Sequence, residues 1–358
     1  MPDYTQKLSL SVYQSWAPSF PIFIRAMILN FLFLSFASCS KHEDCNCKEP
    51  DLPIVIDPTK YSVDLFTDLS DFGRLKAFQI TIGGAGTNFG AGLFVTSGPT
   101  GDDRSDRFIK INQDGKMQVI SNHLKSNETI VFAKGEYGNG ILITEPRTNR
   151  ILRLTSAQDT AQVFSTVGTP PFGPATLFYG PNDKLFVTDF SGRSMLQLDS
   201  NGTSKTLFQL PSITLDPNQV LGAKGGFGGG GFGGGGAGRD FFISTFTIGL
   251  PGEVFIYADD YTLINRFPLA LDGVNLIGQG PIDWFGTDVY VPSTGGGNNG
   301  DGGVYILSAD GVLRPFLLGI DAVSVAFDTT GIMGGGMFVA DINDGGGAGR
   351  IWRIKKIP

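Results

Sequence analysis

The sequence has little histidine and little cysteine for a chain of 358 residues. It contains two histidines, His42 and His123, and its three cysteines, Cys39, Cys45 and Cys47, all precede residue 50. The rest of the chain therefore has no thiol for a disulfide or a cysteine-bound metal, and a histidine-based catalytic triad would have only His123 to use. The sequence also lacks a Gly-x-Ser-x-Gly motif and a phosphate loop with Gly-Lys-Ser.

Charge is scarce as well. Charged residues make up 17% of the chain, the formal net charge is -7, and lysine and arginine do not cluster after the N-terminal region. These features argue against nucleic acid as a partner. The hydrophobic content of 41% is enough for a large core, and 51 glycines and 29 phenylalanines favour many short strands joined by turns. We therefore expect an all-β protein.

The N-terminus carries a predicted export signal. Arg25 precedes an apolar stretch over residues 26–36, which is too short for a stable membrane span and leads into Phe36-Ala-Ser-Cys39. This run resembles the bacterial lipobox, which implies cleavage before Cys39 and lipidation of its side chain. An ordinary secretory signal with a free cysteine is the alternative. The translation start, Met1 or Met27, stays open.

Polar residues follow Cys39. Ser40, in place of an aspartate, is typical of an outer-membrane lipoprotein, and Lys41–Asp44 resembles the acidic surface-export signal of Bacteroidetes lipoproteins; a plain solvated tether is the alternative. The sequence thus predicts a signal peptide over residues 1–38, a lipidated cysteine and flexible tether over 39–59, and a folded domain over 60–358. The predicted location is the outer membrane, on its periplasmic or cell-surface side, with the membrane as a partner through the lipid.

A unit of four strands repeats six times in the folded domain. Its clearest part is an apolar run that starts at Leu93, Ile141, Leu185, Phe241, Val289 and Met337. The starts are roughly 44 to 56 residues apart, which is the period of propeller blades. A second apolar run follows each first one, at Arg107, Arg150, Ser194, Glu253, Gly303 and Arg350. A third run follows through turns such as Asn201-Gly202, and another precedes the first, as at Thr129, Ala175 and Ser324.

These repeats predict a six-bladed β-propeller of four-stranded blades, with strands a to d in each blade. The sixth copy ends after its strand c, at Pro358, while an alternating stretch at Tyr61–Phe66 stands alone before the first copy. We expect this N-terminal strand to join the C-terminal blade, because a closed ring leaves no long exposed sheet edge.

The repeats resemble the six-bladed propellers of the NHL-repeat and gluconolactonase-like group, over roughly residues 60–358. The segment Glu145-Pro-Arg-Thr-Asn-Arg150-Ile is similar to the NHL hairpin, and Asp189 with Arg193 and Asp341 with Arg350 are similar to it more loosely. The resemblance implies the fold and leaves the activity open, because this fold hosts enzymes, scaffolds and receptors. In the gluconolactonase-like enzymes Glu, Asn and Asp side chains hold a divalent metal in the central channel, which would assign Glu145, Asp189 and Asp341 as metal ligands.

Two departures from those enzymes weaken the metal assignment. Their Glu-Gly-Pro opening motif is absent from the first blade, and where they carry Asn-Gly or Asp-Gly before an inner strand, this chain has GPATLF, GPIDW and AVSVAF. Because each of the three acids is followed by an arginine, we expect ion pairs across the hairpins. The expected partners are Arg150, Arg193 and Arg350, in chain order.

Long loops between strands b and c are the predicted binding face. They are expected in four copies, over Gly101–Asp106, Thr247–Gly252, Thr294–Gly302 and Ile342–Gly349. Oxygen-bearing side chains lie among their glycines: Asp102, Asp103 and Asp106; Asn298, Asn299 and Asp301; and Asp341, Asn343 and Asp344. Such side chains suit a divalent cation such as calcium, but they are also ordinary turn formers. No cofactor is assigned with certainty, and calcium stays a hypothesis.

The sequence favours a lipid-anchored binding module, a monomeric propeller that presents its long-loop face to a protein, polysaccharide or small ligand. The alternative is a metal-dependent lactonase-like hydrolase with carboxylates at the channel mouth. No catalytic residue is assigned. The glycine-rich stretch Gly222–Gly238 is predicted to be a flexible surface loop in the fourth blade, and the third blade, with its short loops, is expected to contribute least to function.

Overall fold

The computed structural model of the chain describes residues 54–98, 106–122, 124–125, 128–157, 160–211, 221–228, 240–247, 251–272, 278–279, 289–294, 302–308, 311–343 and 347–358. The predicted signal peptide and Cys39 lie outside these ranges. Within them every regular element is a strand or a short 3-10 turn, and no helix has the length and hydropathy that crossing a membrane requires.

The strands form six antiparallel sheets of four. β1 (Tyr61–Asp68) comes first in the chain. The first and second blades contain β2 (Lys76–Gly83), β3 (Gly92–Gly98), β4 (Arg107–Ile111) and β5 (Met117–Ser121), then β6 (Ile130–Phe132), β7 (Ile141–Glu145), β8 (Arg150–Leu154) and β9 (Gln162–Thr166). The third and fourth contain β10 (Pro174–Tyr179), β11 (Leu185–Asp189), β12 (Ser194–Leu198) and β13 (Ser204–Gln209), then β14 (Leu221–Gly228), β15 (Asp240–Thr247), β16 (Pro251–Tyr257) and β17 (Leu263–Asp272).

The fifth blade contains β18 (Gly278–Gln279), β19 (Val289–Ser293), β20 (Gly303–Leu307) and β21 (Leu313–Leu318). The sixth sheet contains β22 (Ala322–Asp328), β23 (Gly336–Asp341), β24 (Arg350–Lys356) and, as its outer strand, β1. The 3-10 turns lie at Ser70–Phe72, Gly135–Tyr137, Pro146–Thr148 and Pro181–Asp183. The predicted all-β, six-bladed propeller is confirmed.

The first strands of neighbouring blades contact one another, from β22 through β2, β6 and β10 to β14, and β18 contacts β22. They are the inner strands of the ring. The core lies between blades, because alternate residues of one strand face opposite neighbours. On β3, Leu93 and Val95 pack in a cluster with Phe338 of the sixth blade, whereas Phe94 packs with Ile143 of the second.

The outer strand of the sixth blade comes from the N-terminal end. β1 pairs with β24 from Tyr61 opposite Lys356 to Asp68 opposite Arg350, with an irregularity between Leu65 and Thr67. The contribution of this pairing to ring closure stays a prediction, which a deletion can test.

The folded domain makes contacts before residue 60, inside the segment predicted as tether. Val55 exchanges two backbone hydrogen bonds with Leu318 on β21, at 3.1 and 3.0 Å. Ile54 and Ile56 pack against the cluster between the fifth and sixth blades. The N-terminal segment therefore runs along the fifth blade before it enters the sixth.

The glycine-rich stretch corrects one prediction. Its first part is the strand β14, which pairs with β15 from Leu221 opposite Thr247 to Gly228 opposite Asp240. Glycine is unfavourable in strands but is tolerated where backbones approach closely. Such an approach is expected for β14, because it is an inner strand of the ring. The prediction of a surface loop over Gly222–Gly238 was wrong for residues 222–228; residues 229–239 lie outside the described part of the chain.

Buried hydroxyl groups link neighbouring blades at two junctions of the ring. Thr144, on β7, accepts a hydrogen bond from the Thr129 N–H in its own blade and donates one to the Ala175 carbonyl in the next, both at 2.8 Å. At the junction of the last and first blades the Ile80 N–H donates to Ser324 Oγ, at 3.2 Å. These bonds fix adjacent blades relative to each other beyond their apolar contacts.

Candidate functional site

Three carboxylates end the second strand of their blades, as the sequence predicted. Glu145 is the last residue of β7, Asp189 of β11 and Asp341 of β23. All three are buried, with 1%, 4% and 2% of their surface exposed. A buried carboxylate requires hydrogen-bond donors, so the identity of those donors decides what each acid can do.

Glu145 has three donors. Oε1 accepts from the Lys125 N–H at 2.8 Å, and Oε2 accepts from Thr148 Oγ1 at 2.8 Å and from Arg150 Nη2 at 2.7 Å. Glu145 and Arg150 lie directly opposite each other on β7 and β8. The ion pair predicted for this hairpin is confirmed.

Asp189 also has three donors, but none is an arginine. Oδ1 accepts from the N–H groups of Thr169 and Gly192 at 3.0 and 3.2 Å, and Oδ2 accepts from Thr169 Oγ1 at 2.7 Å. Arg193 instead donates from Nη2 to the Pro211 carbonyl at 2.6 Å. The prediction that Asp189 pairs with Arg193 was wrong.

The register of the hairpin explains this error. The residue opposite Asp189 is Ser194, and Arg193 lies one residue earlier, in the turn, with a left-handed φ of 49°. This turn position corresponds to Asn149 in the second blade, which has a φ of 53°. The spacing from acid to arginine is one residue shorter than in the Glu145 hairpin, so the arginine cannot face the acid across the strands.

Asp341 accepts from backbone and indole donors. Oδ1 accepts from the N–H groups of Asp321 and Asn343 at 3.2 and 2.8 Å, and Oδ2 accepts from Trp352 Nε1 at 3.0 Å. Arg350 is opposite Asp341 in the β23–β24 register, but it is not among the contacts that the structure describes for this carboxylate. The third predicted hairpin ion pair is therefore replaced by a bond to tryptophan.

One contact is common to the three acids. Each accepts an N–H from the connection that enters its blade, and in each case the donor lies 20 residues earlier in the chain. The donors are Lys125, Thr169 and Asp321. We call this arrangement the carboxylate clamp. The sequence contains one signal for the carboxylate clamp, which is the constant spacing of 20 residues between donor and acid. Only the fold shows that the connection entering a blade meets the end of that blade's second strand.

The clamps do not fit the channel metal that the resemblance implies. Each carboxylate already accepts three hydrogen bonds, and a cation that took the place of those donors would leave N–H groups without acceptors. Among the described residues, no three histidine, cysteine, aspartate or glutamate side chains come together in a way that could hold a metal ion.

The oxygen-rich loops are described only in part. Asp106 is buried, with 5% of its surface exposed. Asn343 has a left-handed φ of 50°, and its Nδ2 donates to the Ala348 carbonyl at 2.9 Å, so its side chain braces its own loop. Asp102, Asp103, Asn298, Asn299, Asp301 and Asp344 lie outside the described residues. The calcium hypothesis for these loops stays a prediction.

Two loop features were not foreseen. β15 ends at Thr247 and β16 begins at Pro251, so the fourth blade's connection is shorter than the predicted Thr247–Gly252. Lys76, at the start of β2, is buried with 6% exposure and donates from Nζ to the Asn343 carbonyl at 2.5 Å. It braces the loop of the sixth blade from the first.

No protein-family model and no curated protein matches the chain. Solved structures do match. A gluconolactonase from Xanthomonas campestris is 13% identical with a TM-score of 0.56, covering 86% of this chain and 99% of that one. An auxiliary nutrient binding protein from Bacteroides thetaiotaomicron is 13% identical with a TM-score of 0.52, covering 83% and 77%.

A streptogramin B lyase is similar to the same extent, at 12% identity and a TM-score of 0.52, covering 83% of this chain and 98% of that one. The fold is thus shared with a hydrolase, a lyase and a binding protein. Identities this low show the fold alone. The resemblance to gluconolactonase-like propellers is confirmed at that level.

Proposed function

We propose that the chain is a binding module. Its binding face is formed by the loops between strands b and c and by the connections from strand d of one blade to strand a of the next. The proposal includes no metal-dependent hydrolysis at the channel mouth. The observation that carries this proposal is the carboxylate clamp. The three acids that a lactonase-like reading would use as metal ligands hold the crossover connections between blades through backbone donors. A rigid ring with such connections is a scaffold on which loops present binding groups.

The comparison proteins are compatible with this proposal. A nutrient-binding protein uses the same fold, so the fold supports binding without chemistry. The departures from the gluconolactonase-like motifs in the first blade and before the inner strands point in the same direction.

We also propose that the module is anchored by a lipid on Cys39, outside the cytoplasm. The support is the run Phe36-Ala-Ser-Cys39 after a short apolar segment. Expression of the full chain in a bacterial host with labelled palmitate should label the wild type and not Cys39→Ala. Equal labelling of both would contradict the anchor.

A hydrolysis panel tests the binding function. The purified chain is assayed against aliphatic and sugar lactones and simple esters, with calcium, magnesium, manganese or zinc and then with a chelator. We expect no metal-dependent turnover above that of a heat-denatured sample. Turnover that requires metal and is lost in Asp189→Asn, a variant that keeps the shape of the side chain, would overturn the proposal.

A further inference from the structure

The hairpin of the first blade has an arginine but lacks the acid that faces it in the second blade. Arg107 is the first residue of β4 and lies opposite Ser97 on β3. In the second blade the same positions are held by Arg150 and Glu145, whose side chains form an ion pair at 2.7 Å. Ser97 is fully buried, and its hydroxyl donates to the Arg107 carbonyl at 3.2 Å. The first hairpin therefore has the base without the acid.

The guanidinium of Arg107 contacts the connection that enters its blade. Its Cζ lies 5.0 Å from the centre of the Phe72 ring, which is within cation–π range. Phe72 is half-buried and packs against the core between the sixth and first blades. The contact links hairpin and connection, as the carboxylate clamp does in the second blade, but it uses only the face of the guanidinium. The five N–H donors at the edge of that group are left over.

Arg107 differs in this respect from the other cations that contact an aromatic ring. Within the described residues four further lysine or arginine side chains do so, and each also has a hydrogen bond or ion pair to an oxygen atom of the chain. They are Lys134 with Asp183, Arg153 with the Tyr137 carbonyl, Arg266 with Glu253 and Arg353 with Asp64. The Arg107 guanidinium makes no such bond in the described part of the chain, and its nitrogens are not buried. Its donors therefore reach solvent.

A second cation lies in the same connection. Arg74 follows Phe72 by two residues, is exposed, and has no ion pair or hydrogen bond from its side chain within the described ranges. Asp71, on the other side of Phe72, is exposed and has the opposite charge. Together with Arg107, these side chains leave one net positive charge beside the Phe72 ring.

The connection is held in place at both ends by the hairpin turn of the sixth blade. The Leu69 N–H donates to the Gly349 carbonyl at 2.9 Å, and the Gly349 N–H donates to the Leu75 carbonyl at 2.7 Å. A Cβ on Gly349 would lie 2.3 Å from the Ala77 nitrogen, so this turn packs directly on the start of the first blade. The backbone between these bonds is fixed, and a ligand that binds there costs little ordering of the chain.

We propose that this part of the binding face takes a carboxylate of an acidic ligand, with Arg107 as the main contact and Arg74 as a second one. This inference rests on the proposed binding function and adds the chemical group that the ligand presents. The ligand carboxylate takes toward Arg107 the part that Glu145 takes toward Arg150. A planar guanidinium binds a carboxylate through two parallel N–H bonds. One net positive charge, in a chain with a net charge of -7, suits a singly charged carboxylate better than a phosphate dianion.

Titration with succinate, followed by NMR through the backbone N–H signal of Gly73 between Phe72 and Arg74, tests the inference. Succinamide has the same carbon skeleton without the charges and serves as the control ligand. We expect the signal to shift to saturation with succinate and not with succinamide, and the affinity to fall as salt rises. Arg107→Gln should weaken succinate binding by about tenfold or more, and Arg74→Gln by about threefold. Arg107→Lys keeps the charge but loses the planar group, so its affinity should lie between those of the wild type and Arg107→Gln.

Two further variants are charge controls. Asp71→Asn removes a negative charge beside the site and should tighten succinate binding. Lys205→Gln removes a positive charge from the outer strand of the third blade, where the lysine is exposed, and should leave succinate binding unchanged. The pair separates a local site from a general effect of net charge.

The outcomes separate this inference from the binding function. Absence of a saturable shift with succinate, equal affinity of the wild type and Arg107→Gln, or equal weakening by Lys205→Gln would overturn the inference. Inorganic phosphate that binds as tightly as succinate would overturn the assignment to a carboxylate. Metal-dependent turnover of lactones would overturn the binding function instead. Unfolding temperatures show whether Arg107→Gln is folded; if it is not, Arg107→Lys and Arg74→Gln decide the test.

Discussion

Asp189 is the sharpest test of the carboxylate clamp. Asp189→Ala removes the acceptor of the Thr169 and Gly192 N–H groups and of the Thr169 hydroxyl. Asp189→Asn keeps an amide oxygen for the two N–H groups and can donate from its NH₂ to the Thr169 hydroxyl. The two variants therefore separate loss of the clamp from loss of the charge alone.

The structure sets the expected size of the effect. Hydrogen bonds to a charged group contribute about 1.5–3 kcal/mol each, and bonds to one group are not additive. Asp189 is 4% exposed, but Thr169 is exposed, so water can replace part of what is lost. We expect Asp189→Ala to lower the free energy of unfolding by about 2–4 kcal/mol and Asp189→Asn by about 1 kcal/mol.

Urea unfolding followed by fluorescence measures both variants, with Asp64→Ala as the control. The Asp64 side chain is 55% exposed and 3.9 Å from Arg353, so its loss should change stability by no more than about 0.5 kcal/mol. If Asp189→Ala were no less stable than the control, the carboxylate would not hold the blade connection and the clamp would be refuted.

Three further predictions concern the ring and its acid stability. Thr144→Val should lower the free energy of unfolding by about 1–3 kcal/mol in the same assay, because it leaves the Thr129 N–H and Ala175 carbonyl without a partner; an unchanged midpoint would contradict the blade-linking role. Deletion of Tyr61–Asp68 should lower the unfolding temperature of the whole domain in calorimetry, whereas an unchanged temperature would show that β1 does not close the ring. Hydrogen bonds from Ser70 hold the pKa of Asp68 below its ordinary value of 3.8, so Asp68 stabilises the fold above that pH and loses this effect as pH falls below it. Asp68→Asn should flatten the acid side of the stability curve below about pH 4, and a curve parallel to the wild type would contradict this.

Most of the fold could be predicted from the sequence because strand periodicity repeats in register. The strands predicted at Arg107, Arg150, Ser194 and Gly303 begin and end where the structure has them. The inner strand β14 could not be predicted, because its glycines carry no alternating apolar pattern. Its pairing is imposed by the neighbouring strand β15.

The site was predicted less well, since residue type fixes neither register nor partner. Glu145, Asp189 and Asp341 were found by their position at strand ends, but each also binds a backbone N–H of the connection entering its blade, and a backbone donor has no signature in a side-chain pattern. The predicted hairpin ion pair was found for Glu145, whose arginine lies directly opposite it on the next strand. It was not found for Asp189, whose arginine lies in the turn.

Metal analysis of the purified chain tests the central claim most directly. The protein is dialysed against calcium, magnesium or zinc, the free ion is removed, and bound metal is measured by mass spectrometry for the wild type and for Glu145→Gln, Asp189→Asn and Asp341→Asn. If the three carboxylates are clamps, the variants retain as much metal as the wild type, whatever the outer loops bind. A stoichiometric ion in the wild type that is lost in these variants would contradict the account.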